Sequence, residues 1–138
     1  MSGLLEHEPT RAEVIRRDTQ RLQGSWRFFS GPREAHLRVE GDTFTMRFRN
    51  GDVYTGHLTL VPTNRPRAMD LRIVSGPEPH LGKVVLAIYQ FDGPYLIWAP
   101  GEPGSPHRPR TFPPNDDRES LCIIFRRDDE ANSNEGGH

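Results

Sequence analysis

The sequence predicts an all-β protein: an eight-stranded antiparallel up-and-down barrel preceded by one short N-terminal helix. From residue 25 onward, apolar and polar residues alternate with a period of two in successive short segments, as in strands with one buried face. Short glycine-containing turns separate many of these segments. Before residue 24 the apolar residues follow a helical spacing instead. Closing the sheet into a barrel leaves no exposed edge strand, and a twisted sandwich is the competing fold.

The helix is predicted to begin after Thr10 and to run for about three turns. Thr10 and Glu13 have the spacing of a capping box, in which each side chain accepts a hydrogen bond from the other residue's backbone amide. Ile15 and Leu22 lie one heptad apart and form a narrow apolar stripe. We therefore expect the helix to lie across an end or a seam of the sheet.

The first three predicted strands place large apolar residues on one face. Their inward-facing residues are Trp26, Phe28, Leu37, Val39, Phe44, Met46 and Phe48. Gly41-Asp42 separates the second strand from the third. Asn50-Gly51 follows the third, and this dipeptide favours a two-residue type I′ turn because both central residues need positive φ. These strands therefore begin a meander.

Five more strands are predicted, over residues 53–61, 68–74, 83–91, 95–99 and 120–127. Residues 83–91 are apolar on both faces, so we expect another element, the helix, to cover the outer face of this strand. Six prolines lie between residues 100 and 118. A long irregular loop of this kind is typical of a lid or a mobile excursion.

Length and composition indicate one self-contained domain, since 138 residues suffice for a single core. The predicted boundaries are a flexible N-terminus at residues 1–9, the domain at residues 10–127 and a disordered acidic tail at residues 128–138. The single cysteine, Cys122, excludes an internal disulfide. With neither a signal peptide nor an apolar run of ~20 residues, we expect a cytoplasmic protein without a membrane partner, in bacteria or an equivalent reducing compartment.

Charge and motifs favour neither nucleic-acid binding nor a catalytic or metal site. The formal charge of -1 provides no overall field for a polyanion. The six histidines form no HxH or HxxxH pair, and a zinc site needs three or four converging ligands. No nucleophile elbow or phosphate-binding glycine motif occurs. We therefore predict no catalytic residue, no metal and no cofactor, and we favour a non-enzymatic role.

Four blocks of the sequence resemble a known family. They are LQGSWRFFS at residues 22–30, YTGHLTLVPTNRPRAMDL at residues 54–71, AIYQFDG at residues 87–93 and RPRTF at residues 108–112. In order and spacing they are similar to a family of small domains from planctomycete bacteria with no assigned reaction, whose usual pattern is LQGTWR, PT..P..ID, GIYE.DG and RP..F. The resemblance covers residues 22–127 and implies a lipocalin-like or calycin-like barrel. The chain departs from the pattern at Val61, Ala87 and Gln90.

The first and last strands are also similar to those of lipocalins proper. There the first strand carries Gly-x-Trp, and an arginine of the last strand packs over the indole. Gly24-Ser25-Trp26 and Arg126-Arg127 occupy the corresponding places here. The similarity implies that Trp26 is a structural plug, because a guanidinium over an indole gains cation–π attraction and its N–H groups can bond free carbonyls.

The barrel lumen is the main candidate site. Its predicted lining is bulky and almost wholly apolar. We expect it to bind a small apolar or amphipathic molecule held by a few polar groups. The predicted ligand-binding residues are Trp26, Phe28, Phe44, Tyr54, Tyr89, Trp98 and Arg126. The sequence indicates no oligomeric state.

Two alternatives stay open. Four arginines lie opposite the inward-facing residues, on the outside of three consecutive strands, where they form a basic stripe able to dock on a protein partner. They are Arg27, Arg38, Arg47 and Arg49. The proline-rich motif PHRPR at residues 106–110 is a second candidate for docking. The other alternative is a barrel enzyme that holds a hydrophobic intermediate, because such a chamber can act through shape.

Overall fold

The computed structural model describes residues 8–114 and 120–128. Its eight strands form a closed barrel in the order of the sequence, and the last strand pairs with the first. Each neighbouring pair is antiparallel. The predicted all-β up-and-down barrel with a short N-terminal helix is confirmed, and the sandwich alternative is wrong.

Nine elements make up the barrel and its helix. They are α1 (Arg11–Leu22), β1 (Gly24–Ser30), β2 (Ala35–Glu40), β3 (Thr43–Phe48), β4 (Val53–Val61), β5 (Arg67–Ser75), β6 (Val84–Asp92), β7 (Tyr95–Pro100) and β8 (Ile123–Arg127). A short 3-10 turn, Glu78–His80, lies in the connection between β5 and β6.

The two ends of the barrel are covered differently. The helix and the turns β2–β3, β4–β5 and β6–β7 lie at one end, which we call the closed end. The connections β1–β2, β3–β4 and β5–β6 lie at the other, together with the segment that follows β7. We call this second end the open end, because a cavity reaches the surface there.

The helix is capped as predicted and docks on the closed end. The Glu13 N–H donates to Thr10 Oγ1 at 3.1 Å, and the Thr10 N–H donates to Glu13 Oε1 at 2.7 Å. Leu22, in the last helical turn, is fully buried in the barrel core. The carboxylate of Asp18 is buried as well, and it accepts hydrogen bonds from Arg67 and from the Tyr89 hydroxyl. The helix therefore lies across an end of the barrel.

Trp26 fills the barrel at this closed end. Its indole Nε1 donates to the Leu22 carbonyl at 2.9 Å, and only 1% of the residue is exposed. The guanidinium of Arg127 lies 4.3 Å from the centre of the Trp26 ring system. Arg127 also donates to the carbonyls of Gln23 and Arg21, so it joins the last strand to the end of the helix.

The arginine over Trp26 is Arg127 and not Arg126. Phe125 and Arg127 point into the barrel, whereas Arg126 points outward and lies 5.8 Å from the ring of Tyr95. Strand alternation accounts for this, because Phe125 is fully buried and its neighbour must face the other side. The proposed ligand contact Arg126 therefore lies on the outer surface.

The turn between β3 and β4 is not the predicted type I′ turn. The Phe48 N–H donates to the Asp52 carbonyl at 2.9 Å, and the Gly51 N–H donates to the Phe48 carbonyl at 3.0 Å, so three residues close the hairpin. Gly51 has a φ of 102°, whereas Asn50 does not have a positive φ. This is the three-residue arrangement, in which a type I turn precedes a glycine. The prediction failed because Asn-Gly suits both loop lengths.

The proline-rich segment, and not the helix, covers the outer face of β6 and its neighbours. Ile88, Ala99 and Cys122 form a small buried cluster outside the barrel, and Phe112 packs against it. Arg108 holds the segment in place by donating to the Ala87 carbonyl at 2.9 Å and to the Asp70 carboxylate at 2.7 Å. The described part of the loop is therefore a cover bound to the barrel wall.

Several predictions fall on residues outside the described part. Only residues 8–9 of the expected flexible N-terminus are described, and only Asp128 of the expected tail at residues 128–138. The Asp128 N–H donates to the Ser25 carbonyl at 2.9 Å, which extends the pairing of β8 with β1 by one bond. Residues 115–119 of the long loop also lie outside the described residues.

Candidate ligand site

A cavity of about 120 Å³ opens from the lumen at the open end of the barrel. Most of its walls are apolar side chains that point inward from the strands. They are Phe44, Met46 and Phe48 of β3, Leu71 and Ile73 of β5, Val85 of β6 and Trp98 of β7. The lining is completed by Arg33, Tyr54, His80, Pro100, Gly101, Pro103 and Leu121. Cavities on the order of 150 Å³ hold one benzene ring, so this space suits a small guest.

The lumen is filled with side chains toward the closed end. Phe91 packs against both Trp26 and Tyr89 there, with its ring centre 6.2 Å from that of Trp26 and 5.7 Å from that of Tyr89. Leu96 and Phe125 are fully buried in the same core. A guest therefore has access only to the half of the lumen that lies near the open end.

A tyrosine–histidine pair forms one side of the cavity mouth. The hydroxyl of Tyr54 lies 2.9 Å from Nδ1 of His80, and the two rings stack with their centres 5.8 Å apart. Burial and the negative charge of Asp52 raise the pKa of Tyr54 above its ordinary value, while Arg33 acts in the opposite direction. The hydroxyl is therefore protonated at neutral pH and can act as a hydrogen-bond donor.

Arg33 forms another side of the mouth. Its guanidinium carbon lies 4.0 Å from the centre of the Phe48 ring, a cation–π distance. The ring of Phe48 in turn meets Tyr54 edge-on, with ring centres 5.7 Å apart. Arg33, Phe48, Tyr54 and His80 thus form one connected series of contacts around part of the mouth.

The structure brings three of the seven predicted ligand-binding residues to this cavity. Phe44, Tyr54 and Trp98 line it. Trp26 and Tyr89 lie at the closed end instead. The other two lie elsewhere: Phe28 packs against the core from a half-buried position, and Arg126 is on the outer surface.

Tyr89 has a structural partner at the closed end. Its hydroxyl donates to Oδ2 of Asp18 at 2.7 Å, and Arg67 lies 3.2 Å from the same carboxylate oxygen. Burial, followed by the hydrogen bond to Asp18, raises the pKa of Tyr89 far above its ordinary value. This group joins the helix to β5 and β6, and it accounts for the buried charge of Asp18 without a ligand.

Three of the four arginines of the predicted basic stripe face acidic groups. Arg38 pairs with Glu40 at 3.0 Å, and Arg49 pairs with Glu34 at 3.2 Å. Arg27 lies 3.9 Å from the carboxylate of Asp128, which also lies 3.7 Å from His36. The last member, Arg47, is exposed on β3 and is next to His36 in the register. These neighbouring acids reduce the net positive charge of the face.

Within residues 8–114 and 120–128, no group of three or more histidine, cysteine, aspartate or glutamate side chains could hold a metal ion. Over that same part of the chain, the structure contains no helix with the length and apolar character needed to cross a membrane.

No protein-family model, curated protein or solved structure matches this chain at a significant level.

Sequence reasoning missed the polar residues of the mouth, Arg33 and His80. Both lie in connections between strands, where no periodicity indicates the direction of a side chain. One signal was available for Arg33, because it follows Gly31-Pro32 in a short connection that must return over the end of the barrel. No comparable signal marks His80.

Proposed function

We propose that this barrel binds a small amphipathic molecule, whose apolar part enters the cavity at the open end. One observation carries the proposal: the closed half of the lumen is packed with side chains, whereas the open half retains about 120 Å³ of apolar space beneath a polar mouth. An apolar interior with a few polar groups at its edge is the usual composition of a small-molecule site.

The size of the cavity limits the guest to about one six-membered ring or a short alkyl chain. A ring of that size buries roughly 150 Å² of apolar surface, and at about 25 cal/mol per Å² this contributes roughly 4 kcal/mol. A free energy of that magnitude corresponds to a dissociation constant near 1 mM. Tighter binding of a natural ligand therefore requires polar contacts at the mouth.

We also propose that the chain belongs to the planctomycete-type lipocalin-like family that its sequence blocks resemble. The contacts of these blocks support the assignment. Trp26 of the first block is the plug of the closed end, and Tyr89 of the third holds the helix. Arg108 and Phe112 of the fourth fasten the cover of the outer wall.

The test is a titration of the labelled protein with benzyl alcohol and 1-hexanol, followed by amide chemical shifts in NMR spectra. We expect saturable shifts at Ile73, Val85 and Trp98, which line the cavity. Val85→Phe places a ring in the cavity and is expected to abolish these shifts. Val74→Phe is the matched control, because Val74 is exposed on the outer face of β5.

The outcomes separate the proposal from nonspecific binding. Saturable shifts that vanish in Val85→Phe and persist in Val74→Phe support it. Shifts that scatter over the surface, or that are equal in the two variants, contradict it. A cooperative urea transition for Val85→Phe, with a midpoint lowered by no more than the about 1–3 kcal/mol that overpacking costs, confirms that the barrel still folds.

A further inference from the structure

The guanidinium of Arg33 is a cation at the cavity mouth, and it has no acidic partner among the described residues. Within residues 8–114 and 120–128 its guanidinium makes no ion pair or hydrogen bond, and its one contact of note is the ring of Phe48. Arg49, nearby on the same end of the barrel, pairs with Glu34. The guanidinium of Arg33 is therefore available to an anionic ligand, whereas that of Arg49 is already paired with Glu34.

The cation–π contact with Phe48 uses none of the N–H groups of Arg33 in hydrogen bonds. A guanidinium binds a carboxylate in its own plane, through two parallel N–H groups. The ring of Phe48 accepts no N–H···O hydrogen bond, so its contact with the guanidinium carbon leaves the N–H groups of Arg33 open to a partner. Because Phe48 also lines the cavity, that partner can be the polar end of a molecule whose apolar part lies inside.

The connection that carries Arg33 is rigid at its start. Gly31 has a φ of 146°, and a Cβ atom at this position would lie 2.8 Å from the Cys122 carbonyl oxygen, so a side chain would strain the backbone and crowd β8. Pro32 follows, and its ring fixes φ. Together they place the connection close against the barrel, and less conformational freedom is lost when Arg33 binds a ligand.

The other charged and polar groups of the mouth are compatible with an anion. Glu34 is paired with Arg49, and the Asp52 carboxylate accepts one hydrogen bond within its own turn from the Asn50 side-chain amide. His80 uses Nδ1 to contact the Tyr54 hydroxyl, and its Nε2 has no hydrogen-bond partner in the described chain. Donors therefore predominate among the groups that a guest would meet there.

We propose that the ligand of this cavity is a small carboxylic acid, with its carboxylate bound by Arg33 and its ring or short chain in the lumen. The inference rests on the proposed function, and it adds the chemical class of the ligand. A monoanion matches Arg33, the one arginine or lysine among the described residues of the mouth, and the flat carboxylate matches the edge of a guanidinium. A dianionic phosphate ester would need a second full positive charge, and Arg33 is the one arginine or lysine among the described residues that line the cavity.

The experiment compares benzoate with benzyl alcohol, which has the same ring without the charge. Dissociation constants are measured at pH 7 by calorimetry or NMR for the wild-type protein, Arg33→Gln and the control Arg49→Gln. We expect benzoate to bind about tenfold more tightly than benzyl alcohol to the wild type, since one charge-assisted pair supplies a difference of this order. Arg33→Gln should remove this preference, because it should weaken the binding of benzoate about tenfold more than the binding of benzyl alcohol.

Two control variants test whether the preference for benzoate depends on the guanidinium of Arg33. Arg49→Gln should bind both probes as the wild type does, and Arg33→Lys should retain part of the preference because lysine keeps the charge without the fork. Arg33 is exposed, so Arg33→Gln should unfold at nearly the wild-type urea midpoint.

Other results would overturn the carboxylate assignment, the class of anion or the proposed function itself. Equal affinities for benzoate and benzyl alcohol in the wild type, or equal losses in Arg33→Gln and Arg49→Gln, overturn the carboxylate assignment and leave the proposed function intact. Tighter binding of phenyl phosphate than of benzoate overturns the class of anion. If neither benzoate nor benzyl alcohol binds, the proposed function fails, and this inference fails with it.

Discussion

Removal of the Trp26 indole should destabilise the barrel before it affects any ligand. The ring is almost fully buried, donates one hydrogen bond to Leu22 and lies under the Arg127 guanidinium. A large aromatic replaced by alanine in a core costs ~3–5 kcal/mol, through lost burial and the cavity that remains. Domains have ~5–15 kcal/mol in total, so Trp26→Ala should lose a large part of the stability.

Arg127 should be energetically coupled to Trp26. Arg127→Ala loses the cation–π contact and the bonds to the Gln23 and Arg21 carbonyls, which together contribute about 2 kcal/mol. The double variant should lose about 1 kcal/mol less than the sum of the two single losses, because the cation–π term is counted in both. Arg126→Ala is the matched control, and as a surface substitution it should change stability by less than about 0.5 kcal/mol.

The assay is urea unfolding followed by circular dichroism, with benzyl alcohol binding measured in the same variants. For a domain of this size the slope is about 2 kcal/mol per M, so Trp26→Ala should lower the midpoint by about 2 M. Ligand binding should persist in whatever fraction stays folded, because the cavity lies at the other end of the barrel. A Trp26→Ala protein with the wild-type midpoint but without ligand binding would refute the description of Trp26 as a plug.

Two further predictions concern titration and reactivity. Folding raises the pKa of Tyr89 above the ordinary 10.0, so this contribution to stability is fully present below pH 10 and falls, by about 1.4 kcal/mol per pH unit, as pH rises toward the folded pKa. Urea midpoints between pH 9 and 11 should therefore decline less steeply in Tyr89→Phe, and equal slopes would contradict the buried bond to Asp18. The thiol of Cys122 is buried beneath the proline-rich segment, and burial raises its pKa. A thiol reagent should therefore label Cys122 only as fast as this segment moves away from the barrel wall. Labelling as rapid as that of the unfolded chain would show that Arg108 does not hold the segment in place.

The fold could be predicted from the sequence because the barrel depends on local patterns. Alternation places Phe44, Met46 and Phe48 inward, and the structure has them buried in the core. Alternation also favours Arg127 over Arg126, once Phe125 is assigned to the interior. These inferences need only neighbouring residues, and most of them are correct.

The site could be predicted only in part. Alternation shows whether a side chain points into or out of the barrel, but it does not show at which end of the barrel the side chain lies. Trp26 and Trp98 both face inward, yet one fills the closed end and the other lines the cavity. The partner of Tyr89 is Asp18, 71 residues away on the helix, and no local pattern links them. Arg33 and His80 meet the lumen through irregular connections, whose paths depend on the closed barrel.

The most direct test of the central claim is a crystal structure of the protein soaked with iodobenzene, a neutral probe with a strong anomalous scatterer. We expect iodine density inside the lumen, between Phe44, Leu71 and Trp98. The closed end, around Trp26 and Tyr89, should contain none. Density only on the outer surface, or a lumen filled by its own side chains up to the mouth, would contradict the claim that the open half of this barrel is a ligand site.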